Sequence, residues 1–157
     1  MTNWSRDLFS RIIMWSQDVK KWKLVEKEFA CSLIMKYTIS HIDIAQWDFK
    51  DWDVKATFVT SEWEQTRTFE IKYDDVFNRT NEVWIEYQYK WEASGIFRSK
   101  ADCIVYKLGE KFWCVDRAKL LAYLTYGEKH EKKWWDGGNS DLWIIPSEEF
   151  YKLSKEI

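Results

Sequence analysis

The chain has 157 residues, of which 46% are hydrophobic and 18% aromatic, with one proline and five glycines, and this composition excludes a disordered chain. Its 24 lysines and arginines against 26 acidic residues give a net charge of −2, which excludes a strongly basic, nucleic-acid-coating protein. The length predicts a single domain over residues 1–157. Because a signal-peptide pattern and a membrane-spanning apolar segment are absent and the three cysteines lie in apolar runs, we expect a cytoplasmic protein with reduced thiols and no membrane span.

The first predicted element is a helix over "VKKWKLVEKEFACSLIMKY". Its inward stripe recurs at intervals of three and four residues: Trp22, Val25, Phe29, Leu33 and Lys36. Asp18 precedes the helix and is a candidate cap for its start. Lysines cluster near this start: Lys20, Lys21, Lys23 and Lys27. We expect these lysines to form a solvated helix face, with a local basic surface as the alternative.

Strands are predicted after "TISHIDIAQWDFKDW", which has the pattern of a loop or an irregular strand. Three runs rich in β-branched and aromatic residues follow with a period of two: "DVKATFV", "TRTFEIKY" and "EVWIEYQY". The connectors "TSEWEQ" and "DDVFNRTN" are polar and short enough for hairpin or meander turns. We therefore expect three consecutive strands.

The second half of the chain is predicted to mix strands with one helix. "EASGIFRSK" is expected to be a loop with one helical turn, and "DCIVYKL" and "KFWCVD" flank Gly109 and Glu110 as a hairpin. Asp116 is expected to cap a helix over "RAKLLAYLTY" that ends near Gly127. "KHEKKWWDGGNSD" is expected to be a polar loop and "LWIIP" a last strand. The order of elements predicts one α+β domain.

A charged pair interrupts the predicted strand "TRTFEIKY". Because side chains alternate along a strand, Glu70 and Lys72 lie on the face opposite to Phe69 and Ile71. Asp53 opens the preceding strand, so an antiparallel pairing brings it beside Glu70 and Lys72 at one edge of a sheet. Two adjacent carboxylates favour a bound cation, and Mg²⁺ takes its ligands from carboxylates, water and phosphate. With a lysine to orient water and offset charge, this chemistry suits metal-assisted phosphodiester hydrolysis.

The same pattern has alternatives at three points. Glu70 and Lys72 also fit an ordinary solvated strand face, since an E-x-K after an aspartate occurs by chance in many charged proteins. Asp48 and Asp51 compete with Asp53 for the position near the strand start. On the first helix, Glu26 stands beside the buried stripe and is preferred to Glu28, which is placed further outward.

The order of these residues resembles that of the PD-(D/E)XK nuclease superfamily: an acidic residue on a first helix, an aspartate at the mouth of one strand, and E-x-K in the next. The likeness extends to its small, single-domain phage and prophage members through "FEIKYDDVFNRTNEVWIEYQY", "SGIFRSKADCIVYKLGEKFWCVD" and "DGGNSDLWIIPSEEF", and it covers about residues 26 to 150. Two departures are visible. The usual Thr-Gly-Asn reads Thr80-Asn81-Glu82, and no proline precedes Asp53.

The resemblance implies a restriction-endonuclease-like core, with a mixed central β-sheet flanked by helices. It implies that Asp53, Glu70 and the carbonyl of Ile71 hold Mg²⁺, for which Mn²⁺ can substitute. Lys72 would position the attacking water, and Glu26 would bind a second or outer-shell metal. Further matched positions are a glutamate on the third strand and the turn after it: Glu86, Ser99, Lys100 and Asp102. Glu86 also fits a plain solvent face.

The resemblance implies a phage- or prophage-encoded, magnesium-dependent deoxyribonuclease that acts on DNA, in the host cytoplasm if it is viral. We expect a homodimer, because the net charge of −2 leaves one small domain little basic surface for DNA. Several tryptophans lie in or beside predicted loops and could stack on bases, form the dimer interface or pack on the domain's own edges: Trp47, Trp52, Trp63, Trp91, Trp134 and Trp135. The alternative function is a catalytically silent binding protein on the same scaffold that acts on a host defence or replication factor.

Overall fold

The structure is a computed structural model that describes residues 21–46, 51–73, 80–90, 92–127, 131–135 and 140–157. The helices in these ranges are α1 (Lys21–Lys36), α2 (Gly95–Arg98), α3 (Arg117–Tyr126) and α4 (Ser147–Leu153). The strands are β1 (Ile39–Ile44), β2 (Val54–Val59), β3 (Glu64–Tyr73), β4 (Glu82–Tyr89), β5 (Glu92–Ala93), β6 (Cys103–Leu108), β7 (Lys111–Asp116), β8 (Glu131–Trp135), β9 (Ser140–Pro146) and β10 (Lys155–Glu156). Within the described segments, every helix is too short or too polar to cross a membrane.

The fold is α+β, with a central mixed sheet flanked by helices. The central sheet has the strand order β1-β2-β3-β6-β7-β10, in which β3 and β6 run parallel and the other neighbours antiparallel. A second, antiparallel sheet has the order β5-β4-β9-β8. The parallel pair places the carboxyl ends of β3 and β6 at the same edge of the central sheet.

Two hydrophobic clusters cover the two faces of the central sheet. On one face, α1 buries Phe29 and Leu33 against Val54 of β2 and Phe69 of β3. On the other face, Ile104 of β6 packs in the cluster that includes residues of the second sheet, α3 and α4: Val83, Ile145, Leu120 and Phe150. Since side chains alternate along β3, Phe69 faces α1, whereas Glu70 and Lys72 face the second sheet.

Several predictions from the sequence are confirmed. The first helix is α1, "TISHIDI" contains β1 with an irregular register, and β2 and β3 form an antiparallel hairpin. β6 and β7 form the second hairpin, in which Gly109 takes φ +64° as a tight turn requires. α3 begins at Arg117 as expected, but the Asp116 side chain makes no capping hydrogen bond and contacts Arg67 instead. Asp18 and Lys20 lie outside the described residues.

Other predictions are wrong. "EVWIEYQY" is the third consecutive strand, as expected, but it does not continue a meander, because β4 pairs with β5 and β9 in the second sheet, where Val83 and Ile85 enter the second cluster. The expected polar loop contains β8, which pairs with β9 and so finds partners for its backbone polar groups in a ladder. β9 is not the last element, since α4 and β10 follow it. Lys23 and Lys27 are only 6% and 7% exposed, so they form neither a solvated face nor a basic surface.

The turn before β4 explains the Asn in the sequence Thr80-Asn81-Glu82. Asn81 has φ +56°, in the left-handed region that glycine adopts freely and that asparagine tolerates better than most other residues. The departure from Thr-Gly-Asn at this position is therefore compatible with the local backbone.

Candidate functional site

Asp53 is fixed at the start of β2 by backbone hydrogen bonds. The register that pairs Val54 with Phe69 sets Asp53 beside Glu70. Asp53 N donates to Phe69 O at 2.8 Å, and Ala45 N donates to Asp53 O at 2.8 Å. The Asp53 side chain accepts a hydrogen bond from Ile71 N at Oδ2, at 2.7 Å. Its position therefore follows from the β2–β3 pairing, with little freedom left to the side chain.

Glu70 and Lys72 form an ion pair two residues apart on β3. Lys72 Nζ donates to Glu70 Oε1 at 2.7 Å. Ser99 Oγ, from the segment after α2, donates to Glu70 Oε2 at 3.4 Å. The Glu70 and Lys72 side chains are 15% and 34% exposed, so solvent reaches this pair.

Glu26 approaches the same place from α1. Glu26 is 2% exposed, and Lys23 Nζ forms an ion pair with Glu26 Oε2 at 2.8 Å. Lys23 Nζ donates to Ala45 O at 2.8 Å, and Ala45 N bonds to Asp53 O. Ala45, in the segment after β1, thus links Lys23 on the helix to Asp53 on the sheet.

The pKa values of this group show that the carboxylates crowd one another. Burial is the main cause that raises the pKa of Glu26 to about 7, with a further increase from Asp53 and a decrease from Lys23. Burial and then Glu70 raise the pKa of Asp53, against the Ile71 amide and Lys72. A cation between these carboxylates would relieve both effects.

Lys72 is held as a cation by the carboxylates around it. Burial alone lowers its pKa, but the net shift is upward because Glu70, Asp53 and Glu86 favour the ammonium form. Glu86 of β4 therefore lies close enough to act on Lys72, although the two residues belong to different sheets. We define the site cluster as Glu26, Asp53, Glu70, Lys72 and Glu86.

The donor atoms of the site cluster fit a hard divalent cation. The carboxylates of Asp53 and Glu70 are oxygen donors, and the Ile71 carbonyl points to the same side of β3 as the Ile71 N–H that binds Asp53. Among the described residues, no group of three or more His, Cys, Asp or Glu side chains could hold a metal ion. Mg²⁺ retains several waters and needs only one or two carboxylates, so this set suits Mg²⁺ better than a metal that requires an all-protein cage.

The structure separates the competing acidic residues. Asp51 Oδ1 lies 3.8 Å from Lys100 Nζ in an exposed pair, away from Glu70, and Asp48 lies outside the described residues. Glu28 Oε2 lies 2.7 Å from Lys107 Nζ in a pair outside the site cluster. Of the candidates described, Asp53 interacts with Glu70, and Glu26 interacts with Asp53.

The residues after β4 that match the family pattern also differ in whether they reach the site. Ser99 is 3% exposed and contacts Glu70, so it joins the wall of the site. Lys100 points to Asp51. Asp102 Oδ2 accepts hydrogen bonds from Thr68 N at 3.0 Å and Thr68 Oγ1 at 3.1 Å, on the other side of Phe69 along β3.

Three residues near the site were missed by sequence reasoning. Lys23 was placed on a solvated face, and its spacing of three residues before Glu26 on a helix was the available signal. Ser94 Oγ donates to Glu86 Oε1 at 2.5 Å and orients that carboxylate. Gly95 has φ +49°, and a Cβ there would lie 2.1 Å from Glu86 O, so only glycine lets α2 approach β4 this closely. The "SG" pair in "EASGIFRSK" was the signal for both.

The tryptophans expected in loops have different environments. Trp63 is 51% exposed, in the β2–β3 turn. Trp52 is half-buried, with Lys55 Nζ 5.9 Å from the centre of its ring. Trp134 and Trp135 belong to β8 and not to a loop, while Trp47 and Trp91 lie outside the described residues.

No protein-family model matches the chain, and the searches of curated proteins and of solved structures found no match either.

Proposed function

We propose that the protein is a magnesium-dependent deoxyribonuclease with a PD-(D/E)XK-type core that hydrolyses phosphodiester bonds in DNA. One observation carries the proposal: Asp53, Glu70 and Lys72 lie together at one end of β3. Glu26 lies behind them on α1. A helix is followed along the chain by two antiparallel strands that carry the aspartate and the E-x-K. The family resemblance rests on this order of elements.

Asp53 and Glu70, with the Ile71 carbonyl, would hold the metal. When bound there, Mg²⁺ would supply charge stabilisation for the phosphoryl oxygens and would lower the pKa of a bound water. The hydrogen bond from Ile71 N fixes one Asp53 oxygen and leaves the other available. The site therefore needs little rearrangement apart from the release of one Glu70 oxygen by Lys72.

Lys72 is suited to act on the water and on the phosphate. Its side chain is partly exposed, and the surrounding carboxylates favour the charged form of its ammonium group. A cation fixed at this place would orient a water molecule through a hydrogen bond and offset negative charge that develops on the phosphate. Glu26 would take the outer role of binding a second or outer-shell metal through water, since its own carboxylate is buried.

DNA is the proposed substrate, with Mn²⁺ as the proposed substitute for Mg²⁺. A net charge of −2 gives one chain little attraction for phosphates, so we propose that two copies form the complete binding surface. Trp63 is exposed, which suits contact with a base or with a second copy.

The test is cleavage of supercoiled, linear, single-stranded and branched DNA in Mg²⁺ and in Mn²⁺. Lys72→Ala should lower the cleavage rate on the order of 10²-fold or more, the scale of losing one preorganised electrostatic group. The matched control is Lys107→Ala, which removes an ammonium group that also forms a 2.7 Å ion pair but pairs with Glu28, away from the site. This control should cleave at the wild-type rate.

Glu70→Ala should lose both metal binding and cleavage, because it removes a proposed ligand, while its circular dichroism spectrum stays that of a folded chain. Wild-type protein that cleaves none of these substrates, or a Lys72→Ala variant that cleaves as well as Lys107→Ala, would contradict the proposal. That outcome would favour the alternative, a catalytically silent binding protein that acts on a host defence or replication factor.

A further inference from the structure

Two cysteines lie diagonally across the β6–β7 hairpin, on the face that α1 covers. The register sets Cys103 opposite Asp116 and Cys114 opposite Val105, so both thiols project from the same face, two residues apart along the ladder. Each thiol shifts the pKa of the other, and both cysteines are free. They belong to neither the site cluster nor its supporting residues.

The surroundings of the two thiols are not equivalent. Arg67 Nη1 lies 3.4 Å from Cys103 Sγ and 3.4 Å from Asp116 Oδ1, so the guanidinium is shared between sulfur and carboxylate. The Cys103 thiol itself lies 3.7 Å from Asp116 Oδ1. A guanidinium at this distance favours a thiolate at Cys103, which is the nucleophilic form of a cysteine.

The titration behaviour of the pair agrees with that assignment. Interaction with Cys114 is the main cause that lowers the pKa of Cys103, and Arg67 adds to it, whereas burial and Asp116, which accepts a hydrogen bond from the Cys103 thiol, oppose it. The same interaction, together with burial, raises the pKa of Cys114. Cys103 is thus the acidic thiol of the pair, and Cys114 is the protonated one.

A cavity adjoins the two cysteines, and Cys103 itself is only 1% exposed, so peroxide has to approach it from this cavity. A cavity of about 500 Å³ is lined by both cysteines and Arg67, with Tyr37 and Phe58 among its apolar walls. Cys114 lies on β7, whose outer neighbour β10 pairs with it over two residues only, at Lys155 and Glu156. Closing a bridge from this diagonal position requires a shift of β6 or β7 that brings the two sulfurs to bonding distance.

We propose that Cys103 and Cys114 form a peroxide-sensitive dithiol, in which Cys103 is oxidised first and Cys114 then closes a disulfide. In the first step the Cys103 thiolate attacks one oxygen of hydrogen peroxide. The S–O bond forms, the O–O bond breaks, and hydroxide leaves to give Cys103 sulfenic acid. In the second step Cys114 sulfur attacks Cys103 sulfur, the S–S bond forms, the S–O bond breaks, and the hydroxide takes the Cys114 proton as water. Two thiols and one peroxide give one disulfide and two waters.

The test is treatment of the full chain with hydrogen peroxide, followed by intact mass and peptide mapping. The protein should lose two hydrogen atoms, about 2 Da, with Cys103 linked to Cys114, and dithiothreitol should reverse the change. In Cys114→Ser the sulfenic acid at Cys103 should persist and react with dimedone, whereas Cys103→Ser should give no dimedone adduct at Cys114. Cys31, whose pKa is raised by burial and by Glu28, serves as the internal control and should react more slowly.

Arg67→Met should slow the oxidation of Cys103 by about tenfold, since the cation that favours the thiolate is removed. We expect the Arg67→Met variant to remain folded, because the Arg67–Asp116 pair is exposed and contributes little to stability. A wild-type chain that gives a stable sulfenic acid and no bridge would overturn the disulfide. Oxidation of Cys31 ahead of Cys103 would overturn the assignment of the reactive thiol.

Discussion

The two ends of β3 carry charged residues in opposite surroundings. Towards its start, the Arg67 and Asp116 side chains are 39% and 60% exposed and form a loose pair at 3.4 Å. Towards its end, Glu70 and Lys72 pair at 2.7 Å beside Asp53 and the buried Glu26, where burial and a neighbouring carboxylate raise the pKa values of Asp53 and Glu26. An exposed pair contributes little to stability, whereas crowded, buried carboxylates cost stability. The second end is therefore where a functional explanation is needed.

The largest expected effect on stability is at the turn that supports the second end. Gly95→Ala should lower the free energy of unfolding by about 4 kcal/mol, because a Cβ would lie 2.1 Å from the Glu86 carbonyl oxygen at a residue with φ +49°. Gly109→Ala is the matched control. Its φ is +64°, but a Cβ there meets nothing within 4 Å, so only backbone strain of about 1 kcal/mol is expected. Urea unfolding measures both, and equal losses would contradict this account of α2 and β4.

The next effect depends on pH and concerns Glu26. Its pKa is 4.5 in an unfolded chain and about 7 in the fold, so the folded state binds the proton more tightly. The free energy of unfolding should therefore fall as pH rises from about 4.5 to about 7, by on the order of 2–3 kcal/mol in metal-free buffer. Glu26→Gln should remove most of this slope, with the part due to Asp53 remaining.

Glu28→Gln is the control on the same helix. Glu28 forms its pair with Lys107 outside the site cluster, so this variant should keep the wild-type dependence on pH. The measurement is urea unfolding at several pH values in the presence of a chelator. A Glu26→Gln variant with the same slope as wild type would show that Glu26 is not the group that titrates.

The smallest effects compare one cation at each end of β3. Lys72→Ala should lower the free energy of unfolding by about 2 kcal/mol without metal, because it leaves Glu70 beside Asp53 with no ammonium group in contact. Arg67→Ala should cost less than about 1 kcal/mol, since its pair is exposed. Adding Mg²⁺ should restore part of the loss in Lys72→Ala and change nothing in Arg67→Ala. Similar losses in both variants, unaffected by Mg²⁺, would remove the distinction between the two ends.

The residues of the site on β2 and β3 were predictable because local rules place them. The alternation of Phe69 and Ile71 with Glu70 and Lys72 fixes the faces of β3, and the start of the β-branched run at Val54 favoured Asp53. Those rules depend only on neighbours in the sequence. They were sufficient for the helices α1 and α3 and for both hairpins of the central sheet.

The rest depended on contacts between distant segments. β4 pairs with β9, beginning with Glu82 opposite Pro146. No local pattern in the sequence indicates that β4 joins the second sheet and does not pair with β3. Glu86 therefore reaches Lys72 from another sheet, which the sequence left undecided. β8, "EKKWW", has no alternation that separates a strand from a polar loop. Lys23 is buried where Ala45, in the segment after β1, offers it a carbonyl oxygen.

The central claim is that Asp53 and Glu70 form a divalent metal site at the end of β3. Its most direct test is a crystal soaked in Mn²⁺, with anomalous differences recorded for the wild type and for Glu70→Ala. The wild type should show a peak within about 2.3 Å of oxygens from both Asp53 and Glu70, with the Lys72 ammonium moved off Glu70, and Glu70→Ala should show none there. A wild-type crystal with no peak between these carboxylates, at Mn²⁺ concentrations that occupy other sites on the same molecule, would contradict the claim.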